Sequence, residues 1–324
     1  MNLRHAIAPG LVLAAATASA ATLPLVPIEK VGKDYTRAHQ LVDVGQGRRI
    51  NLFCMGQGDT TVVLEGGGFD WSVTWALVQP AVAARTRVCS YDRAGLGYSD
   101  PSPRPPTPAN IVDDLHTLLD RAGIRGSKVF VGHSMGGFNV KLYAATYPDE
   151  VAGMVLIDPS EERATQRIAA QLEAKFGKQL IDESEADDKD SIAGAVEHFA
   201  DCIKAAEAGT LAGTPLYSQC SDPPRLPLGA DILAERLRLQ PLPTFQRTQA
   251  AELQHSIYGP DRSADAHYAK LFGGPHPFGD KPLVVLSSSI FDMSPNGGDM
   301  SKMLELSTTS SLSPNGCGPP NSVA

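Results

Sequence analysis

Apolar runs of strand length alternate along the chain with stretches whose apolar residues recur at helical spacing. Residues 41–44 and 50–55 are β-rich runs separated by Gly45-Gln46-Gly47, which predicts a hairpin. Further apolar runs lie at 61–64, 129–131, 154–157 and 283–286. Between them, Thr107-Pro108 supplies a helix cap and a first-turn proline. Ile111, Leu115, Leu118 and Ala122 then form a buried stripe that Gly123 ends. Val140, Tyr143, Ala144 and Tyr147 mark a second helix, stopped at Pro148. Strands alternating with helices predict an α/β fold, with a mostly parallel sheet covered by helices on both faces.

The pattern changes near residue 160. Strand signals cease until about 278, and helical spacing takes over at 168–176, 192–208, 232–239 and 245–257. A helical insertion is expected there. The acidic cluster Asp182, Glu183, Glu185, Asp187, Asp188 and Asp190 reads as a solvated loop, because like charges resist burial.

Chemistry concentrates in Gly132-His133-Ser134-Met135-Gly136-Gly137, which follows the apolar run 129–131 and opens the second helix. A serine hydroxyl is a poor nucleophile until a base takes its proton and donors stabilise the developing oxyanion. A strand-to-helix turn meets both needs by exposing the hydroxyl beside backbone N–H groups. Glycines two residues either side of Ser134 allow the crowding this requires.

In that context the hexapeptide resembles the nucleophile elbow of the α/β-hydrolase superfamily. Other segments agree in order. Thr61-Val62-Val63-Leu64-Glu65-Gly66-Gly67-Gly68 resembles the third strand and its oxyanion loop, with Glu65-Gly66 where many members carry His-Gly. Asp92-Arg93-Ala94-Gly95-Leu96-Gly97-Tyr98-Ser99 resembles the loop after the fourth strand. Met154-Val155-Leu156-Ile157-Asp158 resembles the sixth strand, and Pro282-Leu283-Val284-Val285-Leu286 the seventh.

The resemblance implies Ser134 as nucleophile, the backbone N–H groups of Gly67 and Met135 as oxyanion donors, and a helical cap inserted after strand six. It places the triad acid after the seventh strand, at Asp292, with Asp158 at the end of the sixth as the rival. It also demands a histidine after the acid, whereas no histidine follows His276. His255 and His267, in the insertion, are the remaining candidates for the base. Of the last 18 residues, 307–324, 14 are Ser, Thr, Pro, Asn or Gly, which predicts an irregular tail and a missing last strand and helix. Such an ending implies truncation or a shifted reading frame near 307. The expected layout is a signal at 1–20, core at 21–159, cap at 160–278, core at 279–306 and tail at 307–324.

The first 20 residues combine Arg4, an apolar stretch from 6 to 16 and a small-residue site at Ala18-Ser19-Ala20, as a secretory signal does. Export to the periplasm or outside the cell is expected, without stable membrane insertion after cleavage. The formal net charge of −8 argues against a nucleic-acid partner. With five cysteines, an exported chain invites disulfides. The superfamily's strand order makes Cys54 and Cys89 neighbours, and Cys202 and Cys220 both fall in the insertion. The expected function is a serine hydrolase acting on a small carboxylic ester or related acyl compound through an acyl-enzyme on Ser134, impaired by the missing triad histidine, with neither cofactor nor metal. Two alternatives stay open: a non-catalytic binding protein or inactive remnant on the same fold, and haloperoxidase-type or carbon–carbon-bond hydrolysis.

Overall fold

The computed structural model describes residues 27–161, 173, 178–257, 259, 263–274 and 277–287. The predicted signal, the tail, Asp292 and His276 lie outside the described residues. The predicted hairpin forms from β1 (Gln40–Gly45) and β2 (Arg48–Met55), paired antiparallel, with three successive positive φ values at Gly45, Gln46 and Gly47 turning the chain. The other strands are β3 (Thr61–Glu65), β4 (Arg87–Tyr91), β5 (Lys128–His133), β6 (Val151–Ile157) and β7 (Leu283–Leu286). They complete a seven-stranded sheet in the order β1-β2-β4-β3-β5-β6-β7. From β4 to β7 every pairing is parallel, while β2 meets β4 antiparallel.

The crossover helices form where the apolar stripes place them. Helices α1 (Ile28–Val31) and α2 (Gln79–Ala83) are short, and α3 (Pro108–Arg121) and α4 (Met135–Thr146) are the long ones. Thr107 caps α3 by accepting from the Asn110 N–H at 3.2 Å, with Pro108 in the first turn. Leu115 and Leu118 are fully buried against the sheet with Phe130, Phe138 and Tyr143. Burial of each such leucine contributes about 1.5–3 kcal/mol. The strands' C-terminal ends are thereby fixed as a rigid edge on which loops can hold chemistry.

Among the described residues no strand lies between β6 and β7. That stretch holds α5 (Lys178–Glu207), α6 (Gly229–Leu239), α7 (Pro243–His255) and α8 (Asp265–Phe272). The expected loop around Asp182 to Asp190 is instead part of α5, and the helix read from 192 onward is its second half. The physical reason is propensity: Lys, Gln, Leu, Glu and Ala, all strong helix formers, make up half of residues 178–207 and outweigh the like-charge repulsion. Insertion and core are joined by apolar contacts, with Phe245 of α7 edge-on to Trp71 at 5.4 Å.

Cys54 on β2 lies directly opposite Cys89 on β4, and the two are disulfide-bonded. Cys202 at the end of α5 is bonded to Cys220, 18 residues on, in a small buried cluster with Leu211 and Ala206. Closing a loop of that length removes chain entropy worth about 3 kcal/mol. Changing both Cys202 and Cys220 to serine should lower the denaturant midpoint accordingly, with the slope of the transition little changed. An unshifted midpoint would show that the insertion holds itself together without the bridge.

Candidate active site

Ser134 joins β5 to α4 with φ 52° and ψ −122°, in the left-handed half of backbone space that non-glycine residues avoid. Such a conformation costs on the order of 1–3 kcal/mol and persists only where the surroundings enforce it. Here they do. The Ser134 N–H donates to the Ile157 carbonyl of β6 at 3.0 Å, and its own carbonyl accepts from Gly137 at 2.9 Å and Ser160 at 3.0 Å. Gly136 explains the glycine requirement: a Cβ there would strike the carbonyl oxygens of Gly66 and Glu65. Gly136→Ala should therefore destabilise the protein by about 1–3 kcal/mol through overpacking, a shift that thermal unfolding would detect. A neutral result would mean that the elbow and the loop after β3 can separate.

That loop lies against the nucleophile. A Cβ built on Gly67 would sit 3.5 Å from the Ser134 Cβ and 2.9 Å from Nδ1 of His133. Close backbone approach at Gly67 is what an oxyanion donor beside Ser134 needs. Met135, the other expected donor, is the buried first residue of α4, where helix N–H groups have no intrahelical acceptor. The His133 ring packs beside the loop, half-buried.

A buried charge network holds the loop in place. The Arg93 guanidinium donates to the carbonyls of Gly66 at 3.0 Å and Gly67 at 2.7 Å, to Glu65 Oε1 at 3.2 Å, and to both oxygens of Glu252 at 2.6 and 3.0 Å. Asn139 of α4 donates to the same Glu65 oxygen at 3.1 Å. Burial alone would pull the Arg93 guanidinium down, but Glu252 and Glu65 together outweigh it and hold it above the usual arginine range. Burial pushes the Glu65 carboxyl up, against the lowering effect of Arg93. Asp92, one residue earlier, is raised by burial while accepting from the backbone N–H groups of Ser72 and Tyr98 and from Asn51, each at 2.9 Å. The Asp-Arg pair thus ties the loops after β3 and β4 into one piece.

Asp158 follows β6 with φ 45°, is exposed, and its N–H donates to the Leu286 carbonyl of β7 at 2.7 Å. Its partner in rivalry, Asp292, lies outside the described residues. Of the histidines, His116 bonds Glu150 at 3.0 Å and stacks on Tyr147, and His39 bonds the Asp34 carbonyl. His267 is exposed on α8. His255, at the end of α7, lines a cavity of about 400 Å³ between α7, the start of α3 and the loop after β4. Arg93 and Glu252 also line that cavity, and Ser134 does not. His198, Cys202 and Cys220 place ligand-type atoms within 4.8 Å of one another, but both sulfurs are spent in the disulfide and offer no thiolate.

A model of the α/β hydrolase fold matches residues 60–248, from the start of β3 well into the helical insertion. The chain belongs to the α/β-hydrolase family. Curated relatives of this chain include human (lyso)-N-acylphosphatidylethanolamine lipase, 32% identical over 108 residues, covering 32% of this chain and 31% of that protein. Another is 2-hydroxy-6-oxo-6-phenylhexa-2,4-dienoate hydrolase of Burkholderia cepacia, 30% identical over 122 residues, covering 34% of this chain and 40% of the relative. The chain spans less than half the length of these relatives. The crystal structure of DBJA superimposes with a TM-score of 0.54 at 15% identity, covering 77% of this chain and 80% of that one, a likeness of fold.

Two residues of the candidate site escape a reading of the sequence. Arg93 sits in a motif that signals a loop but not its partners. Glu252 carries no signal, since the groups it binds, Arg93 and the Phe69 N–H, are 159 and 183 residues away.

Proposed function

We propose that the chain is a serine hydrolase that cleaves a carboxylic ester or related acyl compound through an acyl-enzyme on Ser134. The observation that carries this reading is the strained, three-way-pinned backbone of Ser134 with the Gly67 backbone packed against it. The Ser134 Oγ attacks the acyl carbonyl as its proton passes to a base. The carbonyl electron pair moves to oxygen, where the N–H groups of Gly67 and Met135 stabilise it. Collapse expels the alcohol with a proton and leaves the acyl group on Oγ, and water then releases the acid. Asp292 is the proposed acid, with Asp158 the rival, and His255 and His267 are the first histidines to test as the base. Export is proposed from the leader-like residues 1–20, and the two disulfides suit an oxidising compartment.

Rapid mixing with a series of p-nitrophenyl esters tests the acyl-enzyme. The expected result is a burst of nitrophenol stoichiometric with protein, followed by slower turnover. Hydrolysis with no burst and no dependence on Ser134 would refute the reading.

A further inference from the structure

The loop that carries the proposed oxyanion donor is gripped at successive residues by the helical insertion. The Phe69 N–H donates to Glu252 Oε2 of α7 at 2.7 Å, and the Phe69 ring lies 6.3 Å from that of Phe199 on α5. Asp70, itself buried, pairs with Arg225 at 3.0 Å, and Trp71 packs edge-on against Phe245 and under the Arg236 guanidinium at 4.9 Å. Phe69 has φ 63°, so the chain there is held in a conformation that a phenylalanine does not choose. Among the described residues, the insertion's charged group that reaches both the loop's backbone and its internal clamp is Glu252. Its carboxylate takes the Phe69 N–H on one side and Arg93 on the other, and Arg93 in turn holds the carbonyls of Gly66 and Gly67.

We infer that Glu252 is a positioning residue for the oxyanion hole: seated on the insertion, it sets the aim of the Gly67 N–H and so couples the seating of the cap to the reactivity of Ser134. The inference rests on the proposed role of Ser134. Its physical basis is that a donor misplaced by about 1 Å can cost about 100-fold in rate, while Glu252 touches neither the nucleophile nor the scissile bond. A cap held only by apolar packing would gate substrate entry; a cap that also holds the loop's backbone switches on the site when it is seated.

The test compares the full chain with Glu252→Ala, Glu252→Gln and, as a same-helix surface control, Gln254→Ala. Three quantities are read: hydrogen exchange of the peptide spanning residues 66–71, and the maximal inactivation rate and the half-saturation concentration for a fluorophosphonate. Glu252→Ala should speed exchange of that peptide at least about tenfold and lower the maximal inactivation rate about 10- to 100-fold, with half-saturation within about twofold. Glu252→Gln keeps an acceptor for the Phe69 N–H and should recover part of both losses, and Gln254→Ala should match the native chain. A merely structural Glu252 would change stability without separating rate from half-saturation. Unchanged exchange in Glu252→Ala, or faster exchange with an unchanged inactivation rate, would overturn the inference. If the native chain fails to react with the phosphonate, the proposed role of Ser134 falls, while the exchange measurement still decides whether Glu252 holds the loop.

Discussion

Ser134→Ala is expected to reduce ester turnover to the uncatalysed background while leaving the protein folded. In complete triads, loss of the nucleophile costs about a millionfold in turnover, and that figure is the ceiling for the fall expected here. The substitution also isolates chemistry from structure. The Ser134 side chain is half-exposed at the turn, and the hydrogen bonds that pin the turn run through its backbone N–H and carbonyl. An alanine at φ 52° is no more strained than a serine, so the melting temperature should hold within a degree or two. Turnover that persists in Ser134→Ala would place the chemistry elsewhere in the molecule.

Arg93→Met should produce the largest loss of stability. The variant keeps much of the side-chain volume but strands Glu65 and Glu252, which are buried at 0% and 1% relative exposure. Removing one partner of a buried ion pair costs about 3–5 kcal/mol, because the remaining charge has lost its compensation. For a chain of this size that corresponds to a fall of roughly 4–8 °C in melting temperature. The loss should depend on pH with a definite sign. Burial already raises the Glu65 carboxyl, and deletion of Arg93 removes its chief opposing influence. A carboxyl raised in the folded state binds more protons there than in the unfolded state, so stability falls as pH rises from the unfolded value toward the folded one. The gap between Arg93→Met and the native protein should therefore be widest at neutral pH and narrow on acidification. Equal gaps at pH 5 and pH 8 would show that Glu65 is not the stranded group.

The sheet is legible in the sequence because its inner parallel strands are covered by helices and so appear as short continuous apolar runs, as at 129–131 and 154–157. The elbow is legible for a different reason: Gly132, Ser134 and Gly136 obey a local steric rule that needs no distant partner. Where the physics is non-local, legibility ends. The acidic run 182–190 looks like a loop when only charge repulsion is weighed, and becomes helix once the helix-forming residues along α5 are included. Glu252 falls on a helix that the spacing predicts, yet its two partners come from loops after β3 and β4, and only the folded chain brings them together. Cysteine pairing occupies the middle ground. Cys54 and Cys89 become neighbours once the strand order is supplied, and in the structure they face each other in register.

The central claim, that Ser134 is an activated nucleophile, is tested most directly by treating the native chain with a fluorophosphonate and mapping the adduct by tandem mass spectrometry. The predicted result is a single phosphonyl group per molecule, carried by Ser134 and absent from Ser134→Ala. No adduct at all, or an adduct on another residue that survives Ser134→Ala, would contradict it.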